Sequence, residues 1–170
     1  MSLRTKLTLS LITRLTGQAD LSDPEALTDL RHVVALAPGT GAGAADRVFT
    51  DTRTLAASGS ESLDLSGSLE DVLGGPAVFA RVKMLAIRAH ADNVNNVVIG
   101  GVASNGWITP FGDATDKIVL RPAAGLALWA GEEDATAYAV TAGTGDLLQV
   151  ANSGSGTAVA YDIYIIGASA

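Results

Sequence analysis

The sequence predicts an all-β chain, an antiparallel β-sandwich of jelly-roll-like kind, with roughly eight to ten strands. Three observations predict it. Stretches of alternating apolar and polar residues recur along the whole chain. They are short and separated by clusters of Gly, Pro, Asn and Asp, the residues that turns demand. No long amphipathic helical pattern lies between them, which disfavours parallel α/β folds, whose crossovers need helices. Alternation carries no strand order, so the jelly-roll preference over an immunoglobulin-like winding is one of association only.

Taken in order, residues 3–15 alternate with period two, with Leu3, Leu7, Leu9, Leu11 and Leu15 on one face and Arg4, Lys6, Thr8, Ser10 and Arg14 on the other. Ile12 is the exception. "LSDPEALTDL" (21–30) predicts a turn with one helical turn, Asp23 capping and Pro24 at the first helical position. Strand-like stretches follow at 31–37, 47–54, 61–65, 79–89, 96–100, 117–121, 126–130, 136–140, 147–151 and 158–166. The last is the clearest: Val159, Tyr161, Ile163 and Ile165 face one way, Asp162 and Tyr164 the other. "SLEDVLGG" (68–75) predicts a second short helix. With no dividing linker, the chain reads as residues 1–30, an N-terminal strand or arm that lies on a neighbouring subunit, followed by a sandwich domain over 31–170.

A chain of 170 residues is the size of one domain and buries about two-thirds of the surface its unfolded form exposes. Having no cysteine, it has no disulfide, no thiolate metal site and no cysteine nucleophile. Eleven basic residues against 18 acidic ones give a formal charge of −7, and no Lys/Arg cluster stands out, which argues against direct contact with nucleic acid. Charged residues make up only 17% of the chain, low against the usual quarter, as suits a subunit whose contact faces need little charge. The basic start of "MSLRTKLTLSLITRLTGQA" is followed by alternation with Thr and Ser rather than a continuous apolar run, so neither a signal peptide nor a membrane span is expected.

The most tempting chemical motif is "PGTGAGA". Gly39, Gly41 and Ala44 meet the loose spacing of a dinucleotide-binding turn. Such a turn works by opening a helix whose free N–H groups hold the pyrophosphate. Here "DRVFTDTRTL" follows, β-branched and alternating, so a strand is predicted instead and the motif is a decoy. His32 and His90, the only histidines, show no carboxylate arrangement around them in sequence. Glu132, Glu133 and Asp134 read as a solvated hairpin tip, and Asp113 and Asp116 as Asx-turn residues. Ser58, Ser60 and Ser153 lack a nucleophile elbow or an evident acid–base partner. No catalytic residue, metal ligand or cofactor site emerges, and a non-enzymatic protein is expected. Trp107 and Phe111, on the Gly/Pro-rich stretch "SNGWITPFGD", are candidates for a subunit contact or for stacking on a sugar, against packing on their own core. Trp129, inside a strand-like run, reads as core or interface.

From residue 46 onward, "ADRVFTDTRTLAASGSESLDLSGSLEDVLGG", "GGVASNGWITPFGDATDKIVLRPAAGLALWA" and "AYAVTAGTGDLLQVANSGSGTAVAYDIYIIGASA" resemble a family of small tailed-phage virion proteins. The resemblance marks "FTDTRTL" as an edge of the β domain and "TAGTGDLL" as a hairpin. "LRPAAG" (120–125) departs from it by an extra alanine before the glycine. What the resemblance implies is a structural protein present in many copies, foremost a decoration or cement protein. It would self-associate as a homotrimer on the outer head surface and bind the major capsid protein between shell subunits. A tail, baseplate or fibre-attachment component is the alternative within that class, and a carbohydrate-binding module using Trp107 and Phe111 lies outside it. Leu3, Leu7, Leu9, Leu11, Trp107 and Phe111 are the candidate interface residues.

Overall fold

The computed structural model describes residues 2–170, in which twelve β-strands and no helix are found. They are β1 (Thr5–Thr16), β2 (Glu25–Pro38), β3 (Ala44–Ala45), β4 (Arg47–Leu55), β5 (Ser60–Asp64), β6 (Arg81–Ala89), β7 (Val97–Gly100), β8 (Lys117–Leu120), β9 (Gly125–Trp129), β10 (Tyr138–Ala139), β11 (Leu147–Asn152) and β12 (Val159–Ala168). The all-β prediction holds, and the body of the molecule is a β-sandwich.

One sheet runs β4-β12-β6, with β9 and the short β10 both pairing the far edge of β6. The other runs β5-β11-β7-β8. All pairs within both sheets are antiparallel. The chain passes from one sheet to the other at nearly every connection; only β7 to β8 and β9 to β10 stay within a sheet. β4, which contains "FTDTRTL", is an edge strand.

Alternation explains the core. On β12, Tyr161, Ile163 and Ile165 point between the sheets and are fully buried, as are Val97 and Ile99 of β7 and Val150 of β11 opposite them. The bulge at Gly167 lets β12 continue past Ile166. A Cβ at Gly167 would run into the Arg81 carbonyl oxygen and the Phe79 ring.

Both predicted helical turns are absent. Residues 25–38 form strand β2, paired in continuous antiparallel register with β1 from Thr5↔Leu36 to Thr16↔Glu25. Cross-strand pairing overrides the local helical signal of "PEAL" because Ala26, Thr28, Leu30, His32, Val34 and Leu36 also alternate correctly for a strand. Residues 68–75 are a tight loop instead. The Asp71 carboxylate accepts hydrogen bonds from the Leu73 and Gly75 amides (2.8 and 3.0 Å), and Gly74 takes a left-handed φ of 78°.

Candidate assembly surface

The β1–β2 hairpin is a ribbon whose inner end is packed and whose outer end is not. Register puts two faces on it. One carries Leu7, Leu9, Leu11 and Leu15 from β1 opposite Val34, His32, Leu30 and Ala26 from β2. The other carries Lys6, Ser10, Ile12 and Arg14 opposite Ala35, Arg31, Asp29 and Leu27. Strands of this length reach about 40 Å at ~3.4 Å per residue, longer than a small sandwich needs to cover itself.

At the inner end, Val34 and Leu36 are buried against Met84 and Ile166 on the outer face of the β4-β12-β6-β9 sheet, with Leu3, Leu7, Val48 and Trp129 packed around them. His32 stacks on Trp129 at 5.6 Å between ring centroids. A backbone bond ties the ribbon down further: the Ala35 amide donates to the Glu132 carboxylate at 3.0 Å. "PGTGAGA" is the elbow that turns β2 back into the sandwich. There the Ala37 amide donates to the Gly43 carbonyl at 2.9 Å, β2 pairs β3 in parallel, and Gly39 and Gly43 take φ of 139° and 61°. Strands β3 and β4 follow it, so no helix N-terminus is offered to a phosphate.

Beyond Leu9 the same apolar face runs out into solvent. Leu9, Leu11, Leu15 and Leu30 are 40%, 57%, 70% and 51% exposed, and Ile12 and Leu27 are bare on the opposite face. Two-stranded ribbons are marginal in water, and exposed apolar side chains of this kind make the face a candidate contact surface, although the Thr13–Thr28 pair separates Leu11 and Leu30 from Leu15. The predicted leucines therefore divide: Leu3 and Leu7 pack on their own sheet, whereas Leu9 and Leu11 are exposed.

The loop aromatics are placed differently. Trp107 is 2% exposed, its indole N–H donates to the Ala139 carbonyl at 2.9 Å, and its ring meets Tyr138 edge-on. Burying the ring and pairing its one donor inside the sandwich leaves no face for a sugar or a subunit. Phe111 is partly buried against the same core, close to Gly100. The aromatic signal in "SNGWITPFGD" thus belongs to packing.

Sequence spacing missed one polar cluster. His90 does meet a carboxylate, Asp162, 72 positions away, at 3.0 Å. Asp162 also accepts from Thr52 Oγ1 (2.8 Å) and from Arg88 Nε and Nη2 (3.1 and 2.6 Å). These bonds, led by that from His90, hold its carboxyl well below the ordinary range. The cluster ties β4, β12 and β6 together across the outer face of the sheet. On the inner side, Glu61 accepts from the buried Tyr161 hydroxyl (2.7 Å) and from Arg53 (2.7 Å to Nε), and burial with that bond pushes the tyrosine up. Asp113 is an Asx-turn acceptor for Thr115, as its spacing suggested. Among the described residues, no group of three or more His, Cys, Asp or Glu is placed to hold a metal ion, and no helix is long and apolar enough to cross a membrane.

Fold and surface together define a β-sandwich that carries a projecting, half-covered β-arm. In comparisons with known proteins, no family model, curated protein or solved structure matches this chain.

Proposed function

We propose that this protein is a non-enzymatic structural subunit of a tailed-phage virion. In this reading it decorates the outer surface of the head, where it binds noncovalently between shell subunits of the major capsid protein and stabilises the particle. The observation that carries it is the arm: a ribbon whose apolar face continues from the packed base into solvent, on a chain whose polar clusters tie strands together rather than surround a reacting centre. The virion context comes from the resemblance over residues 46–170. The strand orders β4-β12-β6-β9 and β5-β11-β7-β8, with the chain crossing between sheets at nearly every step, support reading the sandwich as a jelly roll. Self-association as a homotrimer belongs to the same proposal.

Charge supports an exposed position. Residues 1–38 carry four basic groups (Arg4, Lys6, Arg14, Arg31) and four acidic ones (Asp20, Asp23, Glu25, Asp29), so the whole formal charge of −7 resides on the sandwich. An acidic body packs poorly against packaged DNA and well against solvent. Stabilisation multiplies because each copy closes another seam of the shell. The test is add-back: heads stripped of the protein, incubated with the purified chain, should bind it saturably and lose their DNA at a higher temperature. Heads that neither bind it nor gain stability would defeat the decoration role.

A further inference from the structure

The outer face of the β4-β12-β6-β9 sheet is covered in one rung and open in the next. Ile166, Met84 and Trp129 are neighbours across β12, β6 and β9, and the inner end of the arm lies on them. Two residues further along the same strands, and so on the same face, stand Tyr164, Ala86 and Ala127, also neighbours in register. Among the described residues this second rung is largely uncovered: Tyr164 is 48% exposed, Ala127 is exposed and Ala86 is half-buried. Leu9 of the arm on one side and Ala86, Ala127, Trp129 and Tyr164 on the other line an open cleft of about 670 Å³.

We propose that this cleft receives the outer half of the arm from a second copy of this chain, so that each copy gives one arm and accepts one. The inference deepens the assembly reading and rests on its premise that copies of the chain associate. Four observations commit it to that occupant. First, the arm's own base shows what this sheet face accepts, because Leu7, Val34 and Leu36 already lie on the first rung through the face that bears Leu9, Leu11 and Leu15. Second, the cleft is lined largely by small residues, Ala86, Ala123, Gly125 and Ala127, beside Trp129, Tyr164 and Arg88, while the arm carries more leucine than its own chain covers. Third, the arm is electroneutral and the sandwich carries −7, so arm-on-sandwich contact avoids the repulsion that two sandwiches meeting face to face would suffer. Fourth, one face of Trp129 is already stacked by His32, so the indole does not offer both faces to a sugar ring. An exchange in which each copy gives one arm and accepts one closes either as a reciprocal two-fold dimer or, when its rotation permits, as a ring such as a trimer.

The chain contains no cysteine, so cross-linking can be made specific. The full-length single variants Leu11→Cys and Ala127→Cys are mixed and treated with a short bismaleimide. Cross-linked dimer should form in the mixture and not with either variant alone. A second variant, Ala127→Trp, fills the cleft at an exposed position; it should keep the native circular dichroism and melting temperature while weakening self-association by about tenfold or more in light scattering. Leu11→Cys cross-linking to itself, or an oligomer unaffected by Ala127→Trp, would overturn the inference in favour of another contact. A chain that stays monomeric yet binds stripped heads would overturn it and leave the decoration role standing. Arm-exchanged oligomers that ignore heads would support it while removing that role.

Discussion

Replacing Asp162 by asparagine tests whether the outer face of the sheet is tied together electrostatically. The side chain is 11% exposed and accepts four hydrogen bonds from Thr52, Arg88 and His90. Asparagine keeps the shape, turns one acceptor into a donor and removes the charge. Hydrogen bonds to a charged group are worth about 1.5–3 kcal/mol each, but Arg88, 71% exposed, recovers most of its loss from water. A net cost of about 2–3 kcal/mol at neutral pH follows. Because folding depresses the carboxyl's pKa, its contribution is present above the unfolded value and lost as pH falls through the folded one. Urea denaturation of wild type and Asp162→Asn should therefore show a gap that narrows by more than about 1 kcal/mol between pH 6 and pH 2.5. Other carboxylates act on both proteins alike and leave the difference unchanged. A gap that is constant over that range would refute the charge-based account, and one below about 0.5 kcal/mol at pH 6 would refute the magnitude.

Three further outcomes are expected. Trp107→Ala removes a buried indole and its bond to Ala139, and should lower the unfolding free energy by about 3–5 kcal/mol in denaturant melts. Gly167→Ala should cost about 1–3 kcal/mol in the same assay, because its Cβ meets Arg81 backbone at the β12 bulge; an unchanged midpoint would contradict that contact. Glu132→Ala should speed amide exchange at Ala35 and its neighbours in β2 while shifting the global melt by no more than about 1 kcal/mol, since it loosens the arm's anchor rather than the sandwich.

How far the sequence could be read depended on whether a signal was local. β12 was legible because Val159, Tyr161, Ile163 and Ile165 alternate against a single core, and the structure buries all four. The outer half of β2 was not, because "DPEAL" satisfies a helix start as well as a strand, and only pairing with residues 5–16 decides between them. Alternation also marks Leu3 and Leu11 alike; it states that one face is apolar but not what lies against it, so the point where the arm leaves the body is invisible in sequence. For Trp107 the Gly/Pro-rich stretch around it left subunit contact, sugar stacking and packing on its own core all open. The acceptor that makes its burial possible, the Ala139 carbonyl, lies 32 residues away. The same distance problem hid Asp162 from His90 and Glu132 from Ala35. "PGTGAGA", conversely, was legible as a turn from its glycines and as no phosphate site from the β-branched run after it.

The exposed part of the arm can be removed without disturbing its contacts with the sandwich. Excising residues 10–31 and joining Leu9 to His32, which pair across the ribbon, with an Asn-Gly turn keeps the packed base and the His32–Trp129 stack. The shortened chain should retain its circular dichroism and its denaturant midpoint and lose self-association in light scattering. Full self-association of the shortened chain would remove the arm from the assembly account.

The central claim, a repeated structural subunit of the phage head, is tested most directly by counting and locating the protein in intact virions. Cryo-microscopy of purified particles, with quantitative gels against the major capsid protein, gives both numbers at once. The account predicts on the order of hundreds of copies as outer-surface density at symmetry-related positions between shell subunits, as repeated closed-symmetry contacts require. Density confined to the tail, in small multiples of three or six, or absence from the particle altogether, would contradict it.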